Sequence, residues 1–231
     1  MLRHIPLGET QNLRDLGGYP VAGGGSTVWE RLLRSDNPLG LSEAEERWLL
    51  DRDIATVLDL RSTGEMERRP CGLKGRPGFT YVPCPLVGGE RLPNCEADVG
   101  RGYFETLDRR DSVRDALLAV ADAPGGVLFH CAAGKDRTGM IAALLLLNAE
   151  VPRPSVVADY QISGTYLKEF VAYLCSVVPD FDPWAGLSKA EYMETCLDLL
   201  EEKYGSVEGY LLATGLPGET LVRLREKLTK P

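Results

Sequence analysis

Apolar residues along the chain follow two spacings, and the change from one to the other outlines the fold. Residues 54–60 form a short apolar run flanked by charge, the pattern of a strand covered on both faces. Further strands are predicted at residues 79–83 and at 127–130, the latter entered through the turn Gly125-Gly126. Between Asn12 and Ser35, apolar and polar positions alternate around Gly17-Gly18 and Gly23-Gly24-Gly25, which predicts short strands and a tight turn. Helical spacing begins at Ser42, whose separation from Glu45 makes a capping box ahead of Trp48-Leu49-Leu50. It resumes over residues 112–121, with Ser112 and Asp115 as a second capping pair. Helices are then predicted at 138–148, 155–162, 165–177, 188–204 and 219–228. Residues 69–101, rich in Pro, Gly and Arg, read as surface loops suited to a lid, a role open also to the later helices around Phe170. Strands alternate with helices early and helices dominate late, the order of an α/β fold with a helical C-terminal layer.

With 231 residues, 44% of them apolar and 26% charged, and with no repeat or linker, the chain reads as one domain, residues 1–231. The longest apolar run, Met140 to Leu147, has eight residues where a bilayer helix needs roughly 20, so no stable membrane insertion is expected. The first nine residues lack the apolar stretch of a secretory signal, and a cytoplasmic location is expected. A net charge of −8 gives no general attraction for nucleic acid, so an anionic ligand needs a local positive site. The six cysteines show no paired C-x-x-C spacing, which argues against structural zinc and a disulfide scaffold. Oligomeric state is not readable from these features.

The segment His130-Cys131-Ala132-Ala133-Gly134-Lys135-Asp136-Arg137-Thr138-Gly139 carries the chemistry. Its C-x5-R spacing alone means little, because about half a match is expected by chance in this composition. Cys95 and Arg101 share that spacing around acidic residues with no apolar strand before them. Cys131 differs: a strand ends at its door, small residues follow, and a helix starts near Arg137. Loop N–H groups and a helix N-terminus together make a phosphate cradle, with Ala132, Ala133, Gly134, Lys135 and Thr138 as its lining. Such surroundings favour the thiolate, the nucleophilic form of cysteine. Arg137 brings a planar fork for two phosphate oxygens, Lys135 a second charge, and Asp136 a carboxyl placed to protonate a departing ester oxygen. The plainer alternatives are a solvated charge for Lys135 and a helix-capping carboxylate for Asp136.

This loop resembles that of the cysteine-dependent protein-tyrosine phosphatases, in the bacterial and fungal branch with an H-C-x-x-G-K-D-R-T-G loop. Supporting blocks are Asn12 to Gly18, Leu33-Arg34-Ser35-Asp36, Val57 to Ser62 with Glu65, and Ala158-Asp159-Tyr160. The resemblance implies the phosphatase fold, a central mostly parallel sheet flanked by helices, and metal-independent, cofactor-free hydrolysis. Cys131 would attack phosphorus, Arg137 would clamp the phosphoryl group, and water would release it from the cysteine. It implies a phosphorylated protein substrate, with phosphotyrosine first and phosphoserine or phosphothreonine beside it; a phosphoinositide is the alternative that Lys135 leaves open. For the general acid it favours Asp136, ahead of Asp98, 33 residues upstream of the cysteine, and of Asp180 and Asp182. Arg14, Asp15, Asp59 and Arg61 either orient the loop or staple strands by ion pairs. Cys84 reads as a spare core thiol in preference to a disulfide partner of Cys131. A rhodanese-type sulfurtransferase closes its loop one residue sooner, and a catalytically dead adaptor would not need Cys131, Arg137 and Thr138 intact.

Overall fold

The computed structural model describes residues 2–88, 93–179 and 181–230. Its sheet has five strands: β1 (Arg14–Asp15), β2 (Leu32–Ser35), β3 (Ile54–Asp59), β4 (Thr80–Pro83) and β5 (Gly126–His130). They lie in the order β1-β2-β5-β3-β4, with β1 antiparallel to β2 and every other pairing parallel. The central strand β5 is thus the one that runs into the Cys131 loop. Side chains leave alternate faces of each strand. Leu32, Leu58, Val127 and Phe129 enter one apolar cluster, while Leu33, Val57 and Leu128 enter another. Both faces of β3 and β5 are covered, which is why those strands read as short apolar runs.

The smaller cluster lies under α1 (Glu43–Leu50), whose Ser42 and Glu45 form the anticipated capping box. After β3 comes α2 (Thr63–Arg68), and before β5 come α3 (Val99–Leu107) and α4 (Arg110–Asp122). The remainder is helical: α5 (Asp136–Asn148), α6 (Arg153–Gln161), α7 (Ser163–Tyr166), α8 (Lys168–Val177), α9 (Ala190–Tyr204), α10 (Val207–Ala213) and α11 (Gly218–Thr229). Helix α5 is buried on every side from Arg137 to Leu146, as a helix with no polar face must be. Among the described residues no helix is long and apolar enough to cross a membrane.

Three expectations need correction. The stretch read as loop up to Arg101 already enters α3 at Val99. Its glycines hid the helix, and Gly100 is there because a Cβ would come within 2.7 Å of the Tyr192 carbonyl and 2.6 Å of Thr195 on α9. The helix expected at Ser112 begins at Arg110, so Ser112 is no cap; its hydroxyl donates to the Arg109 carbonyl at 3.4 Å. The helix expected over 165–177 is broken at Leu167 into α7 and α8.

Candidate active site

Residues 131–135 cross from the C-terminal end of β5 to the N-terminus of α5, the edge at which ligands bind in open parallel sheets. The surrounding framework takes hold of the loop by its carbonyls. Leu60 N–H donates to the His130 carbonyl at 2.8 Å and Asn37 N–H to that of Ala132 at 3.2 Å. His130 Nδ1 donates to the Cys131 carbonyl at 3.1 Å, Asn12 Nδ2 to Ala133 at 2.9 Å, and Arg34 Nη2 to Gly134 and Lys135 at 2.8 and 3.3 Å. Because C=O and N–H point opposite ways across a trans peptide, drawing these carbonyls outward turns the N–H groups of residues 132–136 toward the hollow of the loop. Gly134 makes the tightest turn, at φ +66°, where a Cβ would lie 2.4 Å from the Asp36 nitrogen.

The grip on the loop is itself anchored by buried charge. Asp159 on α6 binds the Arg34 guanidinium, accepts from Arg14 Nε at 3.0 Å and from the Tyr19 hydroxyl at 2.9 Å; none of the ion-pair side chains is more than 1% exposed. Burial alone would raise the Asp159 carboxyl, but the Arg14 and Arg34 charges outweigh it and hold it at about 2. Arg14 also donates to the Asn12 side-chain oxygen at 2.5 Å, so the residue that binds the Ala133 carbonyl is fixed from the same centre. Asp159→Asn is expected to destabilise the protein by about 3–5 kcal/mol at neutral pH, because two buried cations lose their counter-charge. The sign with pH follows. A depressed folded-state pKa contributes stability above the ordinary carboxylate value of 3.8 that disappears as pH falls toward 2. Denaturant titrations at pH 7 and pH 3 should therefore show a smaller acid-induced loss in the variant than in the wild type.

Arg137, on the first turn of α5, is aimed by Glu65 of α2. Its two terminal nitrogens donate to the two carboxylate oxygens at 2.6 and 2.8 Å, a fork-to-fork pair that leaves its other N–H groups for an anion. Glu65 is fixed in turn by the Ser62 N–H and hydroxyl, each 2.9 Å from Oε2. Burial works against its charge, yet the Arg137 and Ser62 bonds hold the carboxyl at about 2. Beneath the loop, Asp59 accepts from Arg61 Nη2 at 2.6 Å and the Tyr81 hydroxyl at 2.8 Å, with His130 Nε2 at 3.5 Å. Burial lowers the His130 imidazole to about 4, so it is neutral near pH 7. Of the two readings for Arg14, Asp59 and Arg61, all three residues make buried ion pairs, and the Arg14 pair also reaches the loop through Asn12. Asp15 instead accepts from the Gly17 and Glu30 amides.

The remaining candidates separate by place. Lys135 is buried and donates to the carbonyls of Ala185 and Leu187 at 2.6 and 2.8 Å, across the 3-10 turn Pro183–Gly186. Asp136 is about one-third exposed and accepts from the Tyr103 hydroxyl, facing a small cavity of about 50 Å³ lined also by Met140, Trp184 and Tyr192. Asp98 is not with them: it accepts from the Cys95 thiol at 3.3 Å and lines a neighbouring cleft with Arg101. Asp182 precedes the 3-10 turn and is exposed, and Asp180 lies outside the described residues. Thr138 is buried with its hydroxyl unpartnered among the described residues. Cys131 is buried, whereas Ala132 is exposed and, with Ala133, Arg69, Leu167 and Phe170, lines a cleft of about 200 Å³. Cys84 belongs to the core, and burial pushes its thiol up to about 11. Arg34, Asn12 and Asn37 had no role assigned from sequence; they stand among other polar residues, and no local pattern sets them apart.

The triple specificity protein phosphatase PtpB of Mycobacterium tuberculosis is 36% identical over 247 aligned residues, covering 84% of this chain and 89% of that one. A tyrosine-protein phosphatase of Nostoc commune is 29% identical over 207 residues, covering 81% of this chain and 70% of the relative. The solved structure of P. aeruginosa TpbA is similar over 81% of this chain and 88% of its own, at 18% identity and a TM-score of 0.41. The model of the tyrosine phosphatase family matches residues 5–230, essentially the whole chain, and the protein belongs to that family.

Proposed function

We propose that the protein hydrolyses phosphotyrosine, with phosphoserine and phosphothreonine as further substrates, through a phosphocysteine intermediate on Cys131. The observation that carries this reading is the loop itself: its carbonyls from His130 to Lys135 are all drawn outward, and Arg137 is clamped beside it by Glu65. Inward N–H groups and a fixed guanidinium match the equatorial oxygens of a phosphoryl group, where transition-state charge accumulates. The Cys131 thiolate attacks phosphorus, forming S–P as the ester P–O bond breaks. Asp136 gives its proton to the departing ester oxygen. Water then attacks phosphorus, its proton passes to the Asp136 carboxylate, and the S–P bond breaks to return the thiolate and inorganic phosphate. Ala132, Ala133 and Gly134 contribute backbone N–H groups, and Thr138 a hydroxyl at the helix start. Six free cysteines suit a reducing, cytoplasmic setting.

The name of the triple-specificity relative supports a broad choice among phosphorylated residues. The lipid alternative rested on Lys135, whose ammonium is committed to two carbonyls. Phosphate release in EDTA from phosphotyrosine, phosphoserine and phosphothreonine peptides and from phosphoinositides decides the matter. Phosphotyrosine is expected to be turned over with the highest kcat/KM; faster turnover of the lipids would overturn the assignment.

A further inference from the structure

Asp136 carries its two oxygens in unequal surroundings. Oδ1 accepts from the Tyr103 hydroxyl and lies 3.4 Å from Lys135 Nζ. Oδ2 accepts no hydrogen bond among the described residues, on a side chain about one-third exposed. The Tyr103 hydroxyl is also 2.8 Å from that of Tyr160. A phenol has one proton, and Tyr103 gives it to a carboxylate, so the direction of the second bond is fixed: Tyr160 donates to Tyr103, and Tyr103 to Asp136. Burial keeps both phenols protonated far above neutral pH. The rings meet edge to face, centroids 6.0 Å apart, and are among the buried residues of the core. The chain of donors therefore ties the active-site carboxyl to α3 and α6.

We propose that Tyr103, backed by Tyr160, is a positioning residue that occupies Oδ1 and leaves Oδ2 as the oxygen from which Asp136 delivers its proton. This rests on the reading of Asp136 as the general acid. The proton leaves Oδ2 for the ester oxygen as the P–O bond breaks, and it returns to Oδ2 from water when phosphocysteine is hydrolysed; Tyr103 keeps its own proton throughout. A donor on Oδ1 also favours the charged carboxylate over the neutral acid. The other groups facing Asp136 are Lys135 and Arg137 beside it and Tyr192 from α9, and all of them persist when Tyr103 becomes Phe.

The test compares wild type, Tyr103→Phe, Tyr160→Phe and Asp136→Asn on aryl phosphates of graded leaving-group basicity, with pH profiles of kcat/KM and a thermal melt for each. In Tyr103→Phe, kcat/KM for phenyl phosphate should fall roughly tenfold, the order of one charge-assisted hydrogen bond. For p-nitrophenyl phosphate it should change by less than about twofold, since a good leaving group needs little protonation. The descending limb of the profile, identified by its absence in Asp136→Asn, should move to higher pH, because the charged form of the acid loses a hydrogen bond. A uniform loss across leaving groups, or an unmoved limb, would mean that Tyr103 only packs. Should Tyr103→Phe fail to fold, Tyr160→Phe decides: a smaller upward shift of the limb upholds the chain of donors, and no shift overturns it. If Asp136→Asn turns over phenyl phosphate like wild type, Asp136 is not the acid and this inference falls with it, while the role of Cys131 is judged separately by its own substitution.

Discussion

Cys131→Ser should lower phosphate release to background, a loss of roughly 10⁴-fold or more, as removal of a covalent nucleophile does elsewhere. A serine hydroxyl is not ionised near neutral pH, and the adjacent imidazole, His130, is turned away from it, with Nδ1 donating to the Cys131 carbonyl and Nε2 facing Asp59. The framework that shapes the loop does not involve the Cys131 side chain. Asn12, Arg34 and Asn37 hold carbonyls, and Glu65 holds Arg137. The variant should therefore bind a phosphotyrosine peptide about as tightly as the wild type, measured by calorimetry, while releasing no phosphate. Acid-quenched wild type, but not the variant, should carry phosphate on the peptide that contains Cys131. Turnover within tenfold of wild type in the variant would remove Cys131 from the mechanism and leave the loop as a binding site only.

What the sequence shows and what it hides in this chain divide by distance. The loop from His130 to Gly139 is contiguous, so its strand, turn and helix start are all legible in ten residues. Strands β3 and β5 were legible for the same reason, because burial on both faces gives a short apolar run bounded by charge. The grip on the loop is not contiguous. Asn12 meets Ala133 across 121 positions, Arg34 meets Asp159 across 125, and Glu65 meets Arg137 across 72. Periodicity carries no information at those separations, and Asn12, Arg34 and Glu65 stand among other polar residues, so no local pattern marks them. Helix α3 escaped for a different reason. Gly100 lowers local helix propensity, and the compensation is a close approach to α9 that exists only in the folded chain. The surroundings of Asp136 and Asp98 are likewise visible only in the third dimension, Asp136 beside Lys135 and Asp98 in a neighbouring cleft.

Arg137→Lys should lower kcat by roughly 10³-fold with a smaller change in KM, because the lost interaction is strongest when charge spreads over the equatorial oxygens. Lysine keeps the charge but cannot hold Glu65 with one edge and phosphate with another. Glu65→Gln tests the aiming separately. It leaves Arg137 in place but removes the carboxylate that fixes both of its terminal nitrogens, and a loss of roughly tenfold is expected, the order of one charge-assisted hydrogen bond. In the Arg137→Lys background, Glu65→Gln should add little, since Glu65 acts on the phosphoryl group only through Arg137. Additive losses would show that Glu65 has an independent part, such as holding α2 through Ser62. The pH dependence separates Glu65 from the general acid. Its carboxyl is held at about 2, so it stays ionised throughout an assay from pH 4 to 9 and gives no limb there. Glu65→Gln should thus scale the whole kcat/KM profile downward without moving its limbs, whereas a shifted limb would place Glu65 in the proton transfer itself.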